Sequence, residues 1–446
     1  MRTLLVIGIF LFGIYQSLRS PFHALLLYLW VAHFRPQGWA YNSLDFIPMS
    51  MIAAVIVLGY TLLVHRRYSL NALQLYMLLF CFLGALSTWQ SVNVEYSWTW
   101  YQVFLKVVII TYVLSVLVDD LHKFRWAVFI ICVSLGAEAA KQGLVGLVVS
   151  PGAMNPNRIE HLGDNNGVGL GMLMLLSLTL GLFQASTKRW ERAFLALLAL
   201  GVLVRAVTTY SRGAFVTLAV LLAFLWWQNT HKFRSVFVIG LLLALVGAFM
   251  PQQYYDRMAT ITEVVQDEGV QESSAASRLY LWGVAAQMAN DHPLNGVGFN
   301  AFSEAYGWYD LLDGAYGERK EAHGSLPGVF ADTGYTGGSV YVLMLLTALY
   351  YMRRVKRQAG QLGDGGRTLR CYATGLQNAL ICFMVGGSFL SAMYYEIIWH
   401  VLGLCAALAL ISRRMLAEQA REAAKPAHPD PMHMAGDPAF ARTIGR

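Results

Sequence analysis

Charge is what this 446-residue chain has least of. Asp, Glu, Lys and Arg make up 13% of it, against 57% hydrophobic residues. A soluble globular protein is about a quarter charged, and at this length a soluble reading would need two or three domains. Runs of roughly 18 or more apolar residues recur instead, the length that crosses a bilayer. Cysteine is scarce too. Cys81, Cys132, Cys371, Cys382 and Cys405 lie in or beside apolar stretches with no CxxC spacing, which reads as small buried residues and gives no disulfide framework. The sequence has no G-x-x-x-x-G-K-[ST] phosphate loop, no H-E-x-x-H, no Cys/His metal spacing and no G-x-S-x-G elbow. P-loop hydrolysis, zinc proteolysis and serine-hydrolase chemistry therefore have no foothold. The net charge of +7 is not a nucleic-acid signal, because the basic residues fall in short clusters between apolar runs, as in Arg66-Arg67, Lys188-Arg189 and Arg353-Arg354. That is the pattern of cytoplasmic loops.

What is present is an all-α polytopic pattern of about twelve transmembrane helices. The spans fall at roughly 3–33 (broken near Ser20-Pro21), 48–64, 71–88, 101–118, 125–148, 166–185, 191–208, 212–228, 233–250, 329–352, 369–390 and 395–412. Met1-Arg2 and the apolar run after it imitate a signal peptide, but no A-x-A cleavage site follows, so a retained first helix is expected. Placing the basic loops in the cytoplasm puts both termini there and requires 3–33 to cross once overall; two short helices at Ser20-Pro21 would make thirteen segments. The organisation expected is a bundle of about nine spans at 1–250, one large outer loop at 251–328, C-terminal helices at 329–414 and a disordered cytoplasmic tail at 415–446. The outer loop is acidic and carries an amphipathic helix near 275–290 with Leu279, Trp282, Ala286 and Met288 on its apolar side.

An ionisable side chain inside a span costs roughly 2.5–3.5 kcal/mol at the centre, which makes Lys106, Glu138, Lys141 and Arg205 conspicuous. Arg212 opens the next span from the same side. These cations converge on the outer half of the membrane, where a lipid diphosphate would need them, since Lys and Arg bind phosphate oxygens strongly where water is scarce. Plainer readings stand beside this one. Glu138 and Lys141 are three apart and can neutralise each other on one helix face, and Lys106 can snorkel outward. Arg205 and Arg212 are harder to dismiss, because they flank the polar turn Thr208-Thr209-Tyr210-Ser211.

Three motifs follow in order: Tyr210-Ser211-Arg212-Gly213-Ala214-Phe215; then Ser277-Arg278-Leu279-Tyr280-Leu281-Trp282, leading to Gly296-Val297-Gly298-Phe299; then Ala322-His323-Gly324-Ser325, leading to Asp332-Thr333-Gly334. With the polar loop Gly163-Asp164-Asn165-Asn166-Gly167, this arrangement over residues 160–345 resembles the O-antigen ligase and polymerase superfamily. Phe34-Arg35-Pro36-Gln37-Gly38-Trp39 is similar to a subgroup of O-glycosylation ligases associated with exosortase systems. The resemblance implies a GT-C-type glycosyltransferase of the bacterial inner membrane, with one large periplasmic loop. It implies an undecaprenyl-diphosphate-linked glycan as donor, a lipid A-core as acceptor, and an inverting transfer at the periplasmic face without metal or other cofactor. His323 matches the family's loop histidine, and Arg212 and Arg278 match its two arginines. Many members carry Asn or a similar polar residue after the histidine; here it is Gly324, so any side-chain role at that position is lost.

The chemistry is sensible in its own right. The diphosphate is already a good leaving group. Guanidinium groups hold it and stabilise its developing charge, and a histidine near neutral pKa accepts the acceptor's hydroxyl proton. Arg205 and Lys106 join Arg212 and Arg278 as donor-diphosphate candidates, with Arg158, Lys141, His161 and Tyr210 as further ones. Arg278 could instead be a salt-bridge partner in its acidic loop, and His323 a loop-to-helix cap. A polymerase or a protein O-oligosaccharyltransferase would use the same donor. A transporter of an anionic lipid or solute is the rival from another class, although transporters place polar sites near the midplane between repeated halves, and no repeat is visible here.

Overall fold

The computed structural model describes residues 1–41, 44–64, 70–150, 153–155, 159, 162–229, 231–233, 237, 240, 244 and 274–424. The expected span at 233–250 falls largely outside these residues, as do 251–273 of the loop and 425–446 of the tail. Among the described residues the chain is α-helical with short 3-10 turns and no strand.

The N-terminal helices are α1 (Arg2–Ser17), α2 (Pro21–Phe34), the single turn α3 (Pro36–Trp39) and α4 (Met49–Val64). Ser20 accepts a hydrogen bond from His23 N and Pro21 sits at the first helical position, so the break starts a new helix rather than kinking an old one. The chain also reverses there. A Cβ on Gly13 would lie 2.5 Å from Leu27 Cδ1, which places residues on either side of the break against each other. At 16 and 14 residues the two helices are about 24 and 21 Å long, each short of a hydrocarbon core of about 30 Å. The single broken crossing expected at 3–33 is a helical hairpin.

Then come α5 (Ala72–Trp89), α6 (Val94–Leu117), α7 (Leu121–Val149), α8 (Asn165–Ala185), α9 (Arg189–Val207) and α10 (Arg212–Gln228), followed by α11 (Ser274–Asp291), α12 (Phe302–Tyr309), α13 (Ser325–Gln358), α14 (Gly363–Gly386) and α15 (Glu396–Ala423). Asn71, Asn93, Asp120, Asp164 and Ser211 cap α5, α6, α7, α8 and α10 through their side chains, satisfying backbone donors left open in each first turn. By length and apolarity, α5, α6, α7, α8 and α15 are able to cross a membrane; α1, α2, α4 and α10 are apolar but shorter. The chain is thus a multi-pass membrane protein, all-helical among the described residues, with five candidate spans among them by this measure. α9 opens on Arg189-Trp190-Glu191-Arg192 and α14 on Gly363-Asp364-Gly365-Gly366-Arg367, and such polar ends dilute the apolar windows. Residues 415–423, expected to be disordered tail, continue α15 as helix, in keeping with the helix propensity of Ala, Glu, Gln and Arg.

Small residues bring the helices close. A Cβ on Gly181 of α8 would be 3.2 Å from Gly375 Cα of α14, the small-residue packing that membrane helices rely on. A second, smaller core lies apart from the bundle core. It joins Leu281, Val284, Ala285 and Met288 of α11 to Val297, Phe302 and Tyr306. This buried face is turned from the expected one, and Leu279 is exposed.

The junction between the two cores explains the glycine motifs. Gly334 adopts φ 66° inside α13 and breaks its ladder, and the chain from Pro293 to Gly298 pairs with the opened turn. Tyr335 N donates to Pro293 O at 2.8 Å, Val297 N to Ala331 O at 2.9 Å and Gly298 N to Asp332 O at 3.2 Å. The buried Asp332 carboxylate accepts from Phe302 N and from Tyr394 OH, each at 3.0 Å. Gly296-Val297-Gly298 and Asp332-Thr333-Gly334 therefore form a clasp that seats α11 over the start of α13.

Candidate functional site

The site is assembled from helix ends. Asp164 caps α8, accepting from Gly167 N at 3.0 Å and from Asn166 Nδ2 at 2.8 Å. Ser211 caps α10, accepting from Ala214 N at 3.1 Å, and donates through its hydroxyl to Asn166 Oδ1 at 2.7 Å. That chain staples two helix N-termini together. Arg212, the first residue of α10, lies half-buried directly after the stapled Ser211, near enough to Arg278 to act on it.

Across from them, α11 presents Arg278, whose guanidinium lies 5.8 Å from the Phe389 ring centroid. Burial and the neighbouring Arg212 lower its pKa, and Asp164 opposes them; a guanidinium keeps its charge regardless.

His323 stands directly before α13 with φ 46°, the left-handed region that a non-glycine residue occupies at some cost. Its pKa is pushed below the ordinary histidine value, first by burial, then by Arg278 and Lys320, with Asp164 pulling upward. The imidazole is therefore neutral at pH 7 and free to accept a proton. Glu321 moves the other way: burial and Asp164 raise its carboxyl, and a hydrogen bond with Ser391 lowers it. Ser325 Oγ donates to Leu390 O at 2.7 Å and accepts from Ala392 N at 3.0 Å, tying the turn that carries Phe389 and Ser391 to the start of α13.

Gly324, the position that departs from the family pattern, has extended backbone, so its φ does not demand glycine. Space does. A Cβ there would lie 2.6 Å from Trp282 Nε1 and 3.2 Å from Pro327 Cδ. The Trp282 indole, one turn beyond Arg278 on α11, fills that volume, and its N–H is buried without a hydrogen-bond partner among the described residues.

The structure thus gathers His323, Arg278 and Arg212 around Asp164. The other sequence candidates sit elsewhere. Lys141 pairs with Glu138 at 3.0 and 3.1 Å, the neutralised pair that their spacing allows. Arg205 is fully buried in the last turn of α9, where Thr208 Oγ1 donates to its carbonyl at 3.2 Å. Tyr210 is buried in the following turn with φ 55°. Arg158 and His161 lie outside the described residues. Lys106 lines a cavity of about 770 Å³ with Tyr28, Arg35, Gln37, Asp45 and Glu396.

A buried chain backs that cavity. Tyr28 OH donates to Glu396 Oε1 at 3.3 Å, His400 Nε2 lies 3.9 Å from the same carboxylate, and His33 Nε2 is 2.9 Å from His400 Nδ1. His33 lines a second cavity, of about 570 Å³. Next to Glu396, Tyr395 turns the opposite way and donates to Leu162 O at 3.2 Å, beside Asp164. Sequence reading gave no site role to Arg35, quoted only within its N-terminal motif, nor to Glu321, Lys320, Tyr395 or Glu396. For Arg35 the signal was a lone cation before Pro36 at the end of an apolar run. The rest are brought in by long-range packing.

Residues 197–342 match the family described as O-Antigen ligase. Over this third of the chain the protein is similar to O-antigen ligases. The ligase match holds Arg205, Arg212, Arg278 and His323, whereas Arg35, Lys106 and Asp164 fall in residues 1–179, which match a family of unknown function. No curated protein matches the chain.

Proposed function

We propose that this protein transfers a glycan from undecaprenyl diphosphate to a lipid A-core acceptor at the periplasmic face of a bacterial inner membrane. The observation that carries the reading is the meeting of two arginines from separate helices, Arg212 and Arg278, with a histidine held neutral, His323. His323 takes the proton of an acceptor hydroxyl. The freed oxygen attacks the anomeric carbon from the face opposite the diphosphate, the bond from that carbon to the phosphate oxygen breaks, and the configuration inverts. Arg212 and Arg278 hold the diphosphate and take up its developing charge. Asp164 keeps the two guanidinium groups from repelling each other apart. Trp282 offers an indole face and an unpaired N–H to the sugar. The bundle is read as a GT-C-type arrangement of about twelve spans with both termini cytoplasmic, which sets residues 274–328 on the periplasmic side.

The test is a transfer assay with purified protein in detergent, undecaprenyl-diphosphate-linked glycan as donor, lipid A-core as acceptor and EDTA present. High-molecular-weight lipopolysaccharide forming with the wild type and not with His323→Ala supports the reading. Lengthening of the donor glycan instead would make the protein a polymerase, and transfer to a Ser- or Thr-bearing protein a protein O-oligosaccharyltransferase. An untouched donor overturns the transferase reading in favour of transport.

A further inference from the structure

We infer that the cavity around Lys106 and Arg35 is a binding site for a phosphorylated lipid, separate from the His323 site. Its volume of about 770 Å³ falls within the range of small-molecule sites, and its walls divide into two parts. One is apolar, formed by Met51, Val55 and Leu58 of α4 with Val103 and Val107 of α6. Met51, Val55 and Val103 are exposed on these apolar helices. In a bilayer that opening faces hydrocarbon, so an acyl or prenyl chain can lie along it.

The other part is polar. Lys106 sits midway along the membrane-length α6, exposed to the cavity, and makes no ion pair within 4.0 Å among the described residues. Arg35 is held at φ 48° between α2 and α3 and faces Glu396 and Tyr28. Glu396 faces Arg35 and Asp45 lines the cavity as well, yet no carboxylate among the described residues comes within 4.0 Å of the Lys106 ammonium, which stands open to a ligand's anion. A lone cation in an apolar span is costly unless an anion joins it, and the anion that enters a membrane already attached to a hydrocarbon chain is a phosphate. Lys106 and Arg35 then hold the phosphate oxygens, while Asp45, Glu396 and Gln37 remain to accept hydroxyl hydrogens of an attached sugar. The ligand class is a phosphorylated, hydroxyl-bearing lipid, which gives the N-terminal segment a task of its own.

The experiment titrates purified full-length protein in detergent with undecaprenyl phosphate, with lipid A and with diacylglycerol, read by native mass spectrometry. It is done in an Arg278→Ala background, so that the His323 site contributes little and failure of the transfer chemistry does not touch the result. A phosphorylated lipid should bind and diacylglycerol should not. Adding Lys106→Gln should weaken binding at least tenfold, and Lys106→Arg should restore it. Arg35→Gln should weaken it as well, but Arg35 also neutralises Glu396, so the exposed Lys106 decides if that variant fails to fold. Sensitivity to Lys106→Gln with undecaprenyl phosphate assigns the cavity to the carrier lipid, and sensitivity with lipid A to the acceptor. Unchanged affinity for both phosphorylated lipids, or equal binding of diacylglycerol, overturns the proposal.

Discussion

Two places in this protein collect cations, and they are built differently. Around His323, Arg212 comes close enough to Arg278 to depress its proton affinity, and one aspartate, Asp164, acts on Arg278, His323, Glu321 and Tyr395. The backbone carrying them is fixed by side-chain caps, a glycine-lined clasp and the Ser325 tie. Around Lys106 a cation and a carboxylate, Arg35 and Glu396, compensate each other, the walls are apolar and the opening lies along helices. The first arrangement suits charge that changes during a reaction, because net positive field and a neutral base coexist within it. The second suits a resident anion that is held and not transformed.

The comparison breaks first, and hardest, at His323. His323→Ala should lower glycan transfer by about 10²- to 10⁴-fold, the usual worth of a general base, yet leave lipid binding at the Lys106 cavity within error, as measured by native mass spectrometry of the same preparation. Equal loss of both would mean that the two sites are one. Arg278→Ala should lower transfer by about 10²- to 10³-fold, as loss of a charge-stabilising donor does, measured as kcat with saturating donor.

The pH profile sharpens the contrast further. Burial, Arg278 and Lys320 hold His323 below its ordinary value, so the histidine stays a base under mildly acidic conditions and transfer is lost as pH falls through that lowered value. Lys320→Ala removes one depressing cation and should move the acid limb upward, whereas Asp164→Asn removes the opposing anion and should move it down. An acid limb that ignores both changes would detach His323 from the rate.

Gly324→Asn restores the residue type common in the family but drives a side chain into Trp282. Overpacking of this kind costs about 1–3 kcal/mol, and the expected outcome is a less stable, slower enzyme by thermal denaturation and transfer assay. Trp282→Ala should recover part of the stability in the double variant, and additive effects would show that the two residues do not share the volume. The smallest effect belongs to Lys141→Ala. Its exposed pair with Glu138 contributes about 0–1 kcal/mol, so neither transfer nor lipid binding should change.

Residues whose meaning is local were legible in the sequence. The helix near 275–290 and the motifs that carry Arg212, Arg278 and His323 follow from near neighbours or from family likeness. Residues whose meaning depends on distant packing were not. Pro21 begins a helix as readily as it breaks one, so the reversal at Ser20 is decided by whether Gly13 admits Leu27. The buried face of α11 is set by Val297 and Phe302, which no helical period announces. Lys106 looked like one more donor cation until α2, α3 and α4 folded Arg35 and an apolar wall around it. The tail of α15 was misjudged because alternating charge is common to solvated helices and to disorder alike.

One peptide bond ties the two regions together. Tyr395 and Glu396 are consecutive at the start of α15, and their side chains end beside Asp164 and in the Lys106 cavity respectively. Consecutive Cα atoms are about 3.8 Å apart, so a ligand that draws Glu396 toward itself rotates Tyr395 with it. Such a linkage would be reciprocal: occupancy of the Lys106 cavity and of the Asp164 side would each bear on the other across a single residue at the start of α15.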